Sequence, residues 1–299
     1  MTLPIPTIDT HHHLWDLATN RYPWLTGPPL QTHIGPYDKI RKNYLIEDYL
    51  ADVRSQNVVK SVHVEAACIP SESVAETRWL QGLADTHGFP HGIVAHVDLA
   101  DPDARLALER HTAYRNIRGV RMMMKKPTEL AGNRASDDSP MTDPAWRRNF
   151  ALLREFQLSF DLQAPPPLMA EAARVAATFP DIQIMLTHTG LPLDRSDEGL
   201  AAWRKGMARL AECRNVAVKI SGLPMTDWRW TTDSLRPLVL QTIDLFGVER
   251  AMFGSNFPVD KLFSDFDTLF NAYRAIVADF TPKEQRKLFH DNAERFYRL

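Results

Sequence analysis

The sequence predicts an α/β fold with a single domain, a (β/α)8 TIM barrel that covers residues 1–299. Eight apolar stretches of strand length alternate with longer stretches that have the helical period. No Ser/Gly-rich or highly charged linker divides the chain. An open doubly wound sheet would carry a glycine-rich turn after an early strand, whereas here the first strand ends in histidines. We therefore expect parallel strands closed into one barrel.

The predicted strands are short and apolar, and the segments between them are long enough for right-handed crossovers between parallel neighbours. The strands cover residues 7–9, 58–65, 92–98, 117–124, 158–163, 182–188, 216–221 and 250–254. The predicted helices cover residues 46–56, 73–87, 102–114, 142–156, 166–179, 198–213, 234–246, 265–279 and 283–297. Helix starts are indicated at Asp101-Pro102, Asp143-Pro144 and Thr281-Pro282, where an oxygen can cap and proline fits the first turn.

The composition excludes several classes of protein. The chain has 35 Lys and Arg against 37 Asp and Glu and no basic block, so nucleic acid is not an expected partner. No run approaches the roughly 20 apolar residues that span a bilayer, and residues 1–8 do not resemble a leader. We expect a cytoplasmic protein that does not bind membranes. Cys68 and Cys213 share no metal-type spacing and are expected to remain thiols.

Three consecutive histidines follow the first predicted strand. Residues two apart on a strand point the same way, so His11 and His13 should face one side and His12 the other. An affinity-tag remnant explains the cluster poorly, because apolar Leu14 and Trp15 continue the pattern. The pair therefore predicts metal binding or acid–base chemistry.

Polar residues also stand at the carboxyl ends of the other strands, where barrel enzymes hold their active groups. Each residue alone could be a structural group, but their coincidence at one rim predicts an active site. They are Asp9, His11, His13, His63, Glu65, His96, Asp98, Arg118, Arg121, Asp161, Gln163, His188, Lys219, Ser221 and Asn256.

Motifs along the whole chain resemble the amidohydrolase superfamily. They are Ile8 to Trp15 with Tyr22-Pro23-Trp24-Leu25, Glu76-Thr77 with Trp79-Leu80, Gly119-Val120-Arg121, Thr187-His188-Thr189-Gly190, Lys219 to Leu223, Arg250 to Val259 and Asp291-Asn292-Ala293. Within the superfamily they are similar to the amidohydrolase-2 group, TIM-barrel hydrolases that include sugar lactonases and the pyrone-dicarboxylate lactonase. The resemblance implies a hydrolase that opens a small cyclic ester, a sugar-acid or dicarboxylate-type lactone.

The chain departs from the family pattern at the positions that hold metal and base. Metal-dependent members usually add a lysine or glutamate at the fourth strand end and a histidine at the fifth. Here Arg121 stands at the fourth and Asp161 and Gln163 at the fifth, so we do not expect two metals. The family's Gly-Ser-Asp-Trp-Pro appears with Asn256 in place of the aspartate. Asparagine cannot take up a proton, so the family's general base is not carried over.

Glu65 is a candidate to replace that aspartate, because relatives read Val-Gln-Ala where this chain has Val64-Glu65-Ala66. We hypothesise that Glu65 acts as general base, or as a ligand to a single ion held by His11, His13 and His188. In the alternative, Glu65 pairs with Arg121 or Lys219, because buried carboxylates are usually paired.

A reaction without a cofactor is the prediction, and one divalent ion, Zn²⁺, is the alternative. Three imidazoles and a water would make an acceptable tetrahedral zinc site. The resemblance implies that the lactonases of this group work without metal. A lactone also has a good leaving group, which leaves less of the barrier for a Lewis acid to lower.

The predicted mechanism has water attack the carbonyl while Glu65 or a neighbouring histidine accepts its proton. His11, His13, His188 and the Asn256 amide would donate to the oxyanion. Arg121 and Lys219 would bind carboxylate or hydroxyl groups of a small-molecule substrate. Two loops supply aromatic rings that either cover the substrate or pack the loops, namely Trp15, Trp24, Trp228 and Trp230. Residues 125–141 are interpreted as a lid.

Other functions stay open at this stage. A cyclic amide or imide hydrolase is close in chemistry, while a decarboxylase and a sugar-acid binding barrel without activity are less favoured. A homo-oligomer and a role in carbohydrate or aromatic-acid catabolism are compatible with the sequence. His290 is expected to be structural, and the directions of His63 and His96 are not predicted. Four further histidines are expected at the surface, His33, His87, His91 and His111.

Overall fold

The computed structural model describes residues 5–125, 128–131 and 139–299. Its eight strands form one parallel sheet and neighbour each other in chain order, which confirms the predicted barrel. The strands are β1 (Thr7–His12), β2 (Val58–Val64), β3 (Gly92–His96), β4 (Ile117–Met123), β5 (Ser159–Gln163), β6 (Ile184–Leu186), β7 (Val216–Ile220) and β8 (Ala251–Phe253).

The helices alternate with the strands as predicted, and none in the described ranges is long and apolar enough to cross a membrane. They are α1 (Pro23–Thr26), α2 (Ile46–Val53), α3 (Ser73–His87), α4 (Ala104–Thr112), α5 (Pro144–Phe150), α6 (Met169–Thr178), α7 (Asp197–Ala211), α8 (Thr232–Phe246), α9 (Phe266–Ile276), α10 (Pro282–Arg286) and α11 (Asn292–Tyr297).

Helix starts follow the local chemistry of the sequence. The Asp143 side chain accepts a hydrogen bond from the N–H of Ala145 at the start of α5, and Thr281 forms a capping box with Glu284 at α10. The predicted helix 142–156 ends as a 3₁₀ turn, Ala151–Arg154, and the predicted helix 283–297 contains a π segment, Lys287–Asp291. Apolar spacing alone does not separate these forms from an α-helix.

The barrel closes between β8 and β1 through a few hydrogen bonds. The Thr10 hydroxyl donates to the carbonyl of Phe253 at 2.8 Å. Beyond the strands, the N–H of Asn256 donates to the carbonyl of His11 at 2.6 Å, and the N–H of His13 donates to that of Phe257 at 2.7 Å. These bonds hold the histidine segment beside the segment that follows β8.

Two apolar clusters form the core of the described part of the chain. The larger one lies between the strands and the surrounding helices. The smaller one consists of side chains such as Ile8, Val94 and Met252 together with Tyr297 of α11, all of them fully buried. Lys219 and Asp161 are fully buried polar residues that contact Tyr297. They lie between this cluster and the histidines.

Candidate active site

Three imidazole rings meet at the carboxyl ends of the strands. The ring centroids of His11 and His13, at the end of β1, are 5.0 Å apart. His188 follows β6, and its ring centroid is 4.4 Å from that of His11. All three side chains are almost completely buried, so they form one imidazole cluster with little contact to bulk water.

An irregularity in β1 determines which of its side chains join the cluster. The pairing of β1 with β2 shifts register between Asp9 and His12. His12 stacks on Tyr49 with centroids 4.0 Å apart, and the same tyrosine hydroxyl donates to Asp9 at 3.1 Å. Asp9 therefore lies on the side of His12. There it accepts bonds from Ser255 and ties β1 to the segment after β8.

Unusual backbone angles position two of the predicted site residues. His188 and Asn256 have φ angles of 54° and 57°, in the left-handed region that non-glycine residues rarely adopt. Gly222, with a φ of 61°, makes room for the ring, because a Cβ there would lie 2.5 Å from Nδ1 of His188. That nitrogen bonds to the hydroxyl of Ser221 at 3.1 Å.

The tautomer of His13 is fixed by a backbone carbonyl. Nδ1 of His13 lies 2.8 Å from the carbonyl oxygen of Val64, which can only accept, so Nδ1 carries the proton and Nε2 presents a lone pair. Burial, and then the charge of Arg121, lower the pKa of His13 to about 4. A hydrogen bond to the Asn256 side chain opposes this fall. At neutral pH the ring is therefore uncharged and can accept a proton.

Glu65 is held in a buried ion pair. Its Oε1 accepts from Nε of Arg121 at 2.6 Å, and its Oε2 accepts from the N–H of Ala67 at 2.7 Å. Burial raises the pKa of Glu65, but the charge of Arg121 and further bonds outweigh it and lower the pKa to about 2. The ion pair corresponds to the alternative given above, in which Glu65 pairs with Arg121. The low pKa makes Glu65 a weak base.

Lys219, which is predicted to bind the substrate, has partners within the protein. Its side chain is fully buried, and its ammonium group pairs with Asp161 at 2.5 Å. It also donates to the carbonyl of Thr10 at 2.8 Å and lies 3.4 Å from Nδ1 of His11. All three ammonium protons therefore have partners within the protein.

Asn256 is held by an aspartate that the sequence analysis did not identify. Its Nδ2 donates to Oδ1 of Asp260 at 2.8 Å. Burial raises the pKa of Asp260 well above its usual value. The sequence does place this carboxyl four residues after the position of the family's aspartate, and that spacing could have indicated the contact. Because one of its protons is engaged, the Asn256 amide has limited capacity to donate to an oxyanion.

The four predicted tryptophans lie in three different environments. Nε1 of Trp24 donates to the carbonyl of Ala66, next to Glu65, at 2.9 Å, which places this ring near the cluster. Trp15 is fully buried and Trp230 packs against the core, as loop packing requires. Trp228 is 52% exposed and lies over Gly35 in the loop that carries His33. Contact of these rings with a substrate stays a prediction.

Several other histidines differ from expectation. His111 was expected at the surface but is fully buried and bonds to the Thr77 hydroxyl at 2.9 Å. His33 is partly buried and close enough to His188 to contribute to the low pKa of that ring. His63 is buried, with its ring centroid 6.2 Å from that of His13. Because His33 lies in a loop, the sequence did not indicate that its side chain approaches the imidazole cluster.

The residues predicted to hold a metal do not fit one as they are arranged. In the described part of the chain, no group of three or more His, Cys, Asp or Glu side chains is placed to bind a metal ion. The ammonium of Lys219 lies beside His11, and Glu65 is engaged by Arg121. The predicted lid, residues 125–141, falls mostly on residues 126–127 and 132–138, which lie outside the described residues.

A family model described as amidohydrolase matches residues 8–299. The chain belongs to the amidohydrolase family. This family member is 48% identical over 295 residues to the uncharacterized protein y4mH of Sinorhizobium fredii, with 99% of each chain covered. It is 28% identical over 303 residues to the L-fucono-1,5-lactonase of Burkholderia ambifaria, with 98% and 95% covered.

Among solved structures, the family member resembles an amidohydrolase of Burkholderia multivorans that was crystallised with bound HEPES. The TM-score is 0.81 and the identity 25%, with 98% of this chain and 99% of the other covered. A second crystal form, with bound zinc, also has a TM-score of 0.81, at 24% identity and the same coverage. The two proteins therefore share the barrel over their whole length.

Proposed function

We propose that this protein is a lactonase, a hydrolase that opens a small cyclic ester of a sugar acid or dicarboxylate by water attack at the ring carbonyl. The observation that carries the proposal is the uncharged imidazole cluster of His11, His13 and His188 beside the Arg121 guanidinium. Relatives named L-fucono-1,5-lactonase, at 28% identity over nearly the whole chain, support the substrate class.

The substrate carbonyl would bind where buried imidazole nitrogens converge. Nε2 of His11 is buried and has no hydrogen-bond partner within the described ranges. A buried polar atom without a partner is costly, and a ligand oxygen would satisfy it. A donor placed there would stabilise the negative charge that develops on the carbonyl oxygen, an effect of about 10²–10³ in rate per donor.

His13 is the proposed general base. Its Nε2 lone pair can take the proton of the attacking water, and Asn256 can then accept a hydrogen bond from the imidazolium that forms. Glu65, the base predicted first, is less suited because its pKa is about 2 and both of its oxygens are engaged. In this proposal Glu65 instead neutralises Arg121 and orients it.

Arg121 is the proposed substrate-binding cation. Its Nε and one Nη2 proton are committed to Glu65, and among the described residues Nη1 has only a 3.5 Å contact with Gln163. A guanidinium has five N–H donors, so protons on both terminal nitrogens are left for a carboxylate or hydroxyl of the substrate. This arrangement favours a lactone that carries a second polar group.

We also propose that the reaction needs no metal, with a single divalent ion as the alternative. The B. multivorans amidohydrolase has been crystallised with zinc, which makes the alternative worth testing in this chain. A cytoplasmic location, a homo-oligomer and a role in carbohydrate or aromatic-acid catabolism also remain proposals.

A screen with a pH indicator tests the proposal. Each ester ring that opens at neutral pH releases a proton, so a panel of sugar-acid lactones, dicarboxylate lactones, simple esters and cyclic imides can be compared directly. We expect turnover of at least one lactone and its loss in His13→Gln. The proposal is wrong if imides react and lactones do not. It is also wrong if no substrate reacts while the corresponding hydroxy acids bind, as a barrel without catalytic activity would behave.

A further inference from the structure

Lys219 and Asp161 form a buried pair directly behind the imidazole cluster. Both side chains are completely buried, and Nζ of Lys219 lies 2.5 Å from Oδ2 of Asp161. The Tyr297 hydroxyl donates to both oxygens of Asp161, at 2.9 and 3.0 Å. A buried ion pair is maintained only when its remaining hydrogen-bonding groups are satisfied, and here they are. Lys219 is therefore held as an ammonium at a fixed position.

The third proton of that ammonium group is directed at His11. With Asp161 and the Thr10 carbonyl as the first two partners, Nδ1 of His11 at 3.4 Å is the third. An ammonium group has three protons and no lone pair, so it can only donate. Nδ1 of His11 must therefore present its lone pair, because a proton on Nδ1 would oppose the ammonium protons. In a neutral ring, the proton then resides on Nε2.

The other nitrogen of the same ring, Nε2, has a different environment. Nε2 of His11 is buried without a hydrogen-bond partner in the described part of the chain, and the rings of His13 and His188 lie within 5.0 Å of the His11 ring, centroid to centroid. A proton on this nitrogen therefore has no acceptor among the described residues and is available to a ligand.

We propose that Lys219 and Asp161 are positioning residues that hold His11 in the tautomer with its proton on Nε2. His11 is then a permanent hydrogen-bond donor to the carbonyl oxygen of the substrate. The inference rests on the proposed lactonase reaction for its catalytic meaning. The tautomer itself is independent of that reaction. The two neutral histidines of β1 thus differ: Lys219 makes His11 a donor, and the Val64 carbonyl makes His13 an acceptor.

Nitrogen-15 NMR of the full chain with labelled histidine tests the tautomer directly, because protonated and unprotonated ring nitrogens have well-separated shifts. The signals of His11 are assigned by their absence in His11→Gln. We expect the wild type to carry the proton on Nε2, and a proton on Nδ1 would overturn the proposal without any further variant. In Lys219→Met/Asp161→Asn, which removes both charges together, we expect the Nδ1–H form to appear.

A matched control and a kinetic measurement separate positioning from structural support. Tyr297→Phe removes the bond on the far side of Asp161 and should leave the His11 tautomer unchanged. With any lactone that is turned over, the double variant should lose about 10²–10³ in kcat with little change in KM, because an oxyanion donor acts in the transition state. An unchanged tautomer or an unchanged kcat in a folded double variant would overturn the proposal. A correct tautomer in a protein that hydrolyses no lactone would instead refute the proposed function.

Discussion

Restoring the family's aspartate at position 256 should not simply restore a base, because a second carboxyl already lies there. Nδ2 of Asn256 is 2.8 Å from Oδ1 of Asp260, and both side chains are buried. Asn256→Asp would replace this hydrogen bond by two carboxyls at the same separation. Two charges 2.8 Å apart repel by about 6 kcal/mol at an effective dielectric constant of about 20. The pair would therefore hold one shared proton rather than two charges.

The stability of Asn256→Asp should therefore depend on pH and should fall as the pH rises. Acids whose pKa is raised in the folded state bind their proton more tightly there than in the unfolded chain. The free energy of unfolding is therefore highest at low pH. It falls by up to about 1.4 kcal/mol per pH unit between the pKa of the acid in the unfolded chain and its pKa in the folded protein. Asp260 already has a raised pKa in the wild type, and Asn256→Asp should raise the pKa of the pair further.

Urea unfolding at about pH 5 and about pH 8 measures the effect in a complete double-mutant cycle. We expect Asn256→Asp to lose more stability than the wild type between these pH values, by up to about 1.4 kcal/mol for each unit by which the pKa of the pair exceeds that of wild-type Asp260. Asp260→Asn should reduce the dependence, and Asn256→Asp/Asp260→Asn should restore stability at high pH. Additive effects of the two substitutions, or a pH profile of Asn256→Asp equal to that of the wild type, would show that the two carboxyls do not share a proton.

Three further predictions concern the surroundings of the cluster. Burial, and then the charge of Glu65, raise the pKa of Glu76 to about 8. The stability of the wild type should therefore fall between about pH 4.5 and 8. Urea unfolding should show that this fall is steeper than in Glu76→Gln. Gly222→Ala should destabilise the fold by about 1–3 kcal/mol in thermal unfolding and lower turnover, because its Cβ meets His188. The control Gly82→Ala has open space and should not destabilise it. Turnover should survive prolonged chelation, and loss that zinc reverses would show that a metal is required.

The sequence predicted the barrel because its strands are buried on both faces and its crossovers are regular. All eight strands, Thr7–His12 through Ala251–Phe253, lie where the apolar stretches indicated, with ends that differ by a few residues. The pairing of His11 with His13 also follows from strand geometry. The place of Asp9 could not be predicted, because a register shift within β1 has no signature in the apolar pattern.

The partners of the charged side chains were the least predictable part of the site. Lys219 and Asp161 come from β7 and β5, and their pairing depends on both side chains pointing into the barrel at compatible depths. The contact between Asn256 and Asp260 depends on a short 3₁₀ turn after β8. Such contacts decide whether a polar side chain can bind substrate or is paired with another side chain. A position at the end of a strand does not distinguish these two cases.

We propose that neutral histidines, with His13 as the base, open a lactone in this barrel. The most direct measurement compares the kcat of His13→Gln and Glu65→Gln with that of the wild type on one lactone found in the screen. A general base contributes about 10²–10⁴ in rate, so His13→Gln should lose at least about 100-fold. Glu65→Gln keeps a hydrogen-bond acceptor for Arg121 and should lose less than about tenfold. The reverse order, with Glu65→Gln the more damaged enzyme, would show that Glu65 and not His13 is the base.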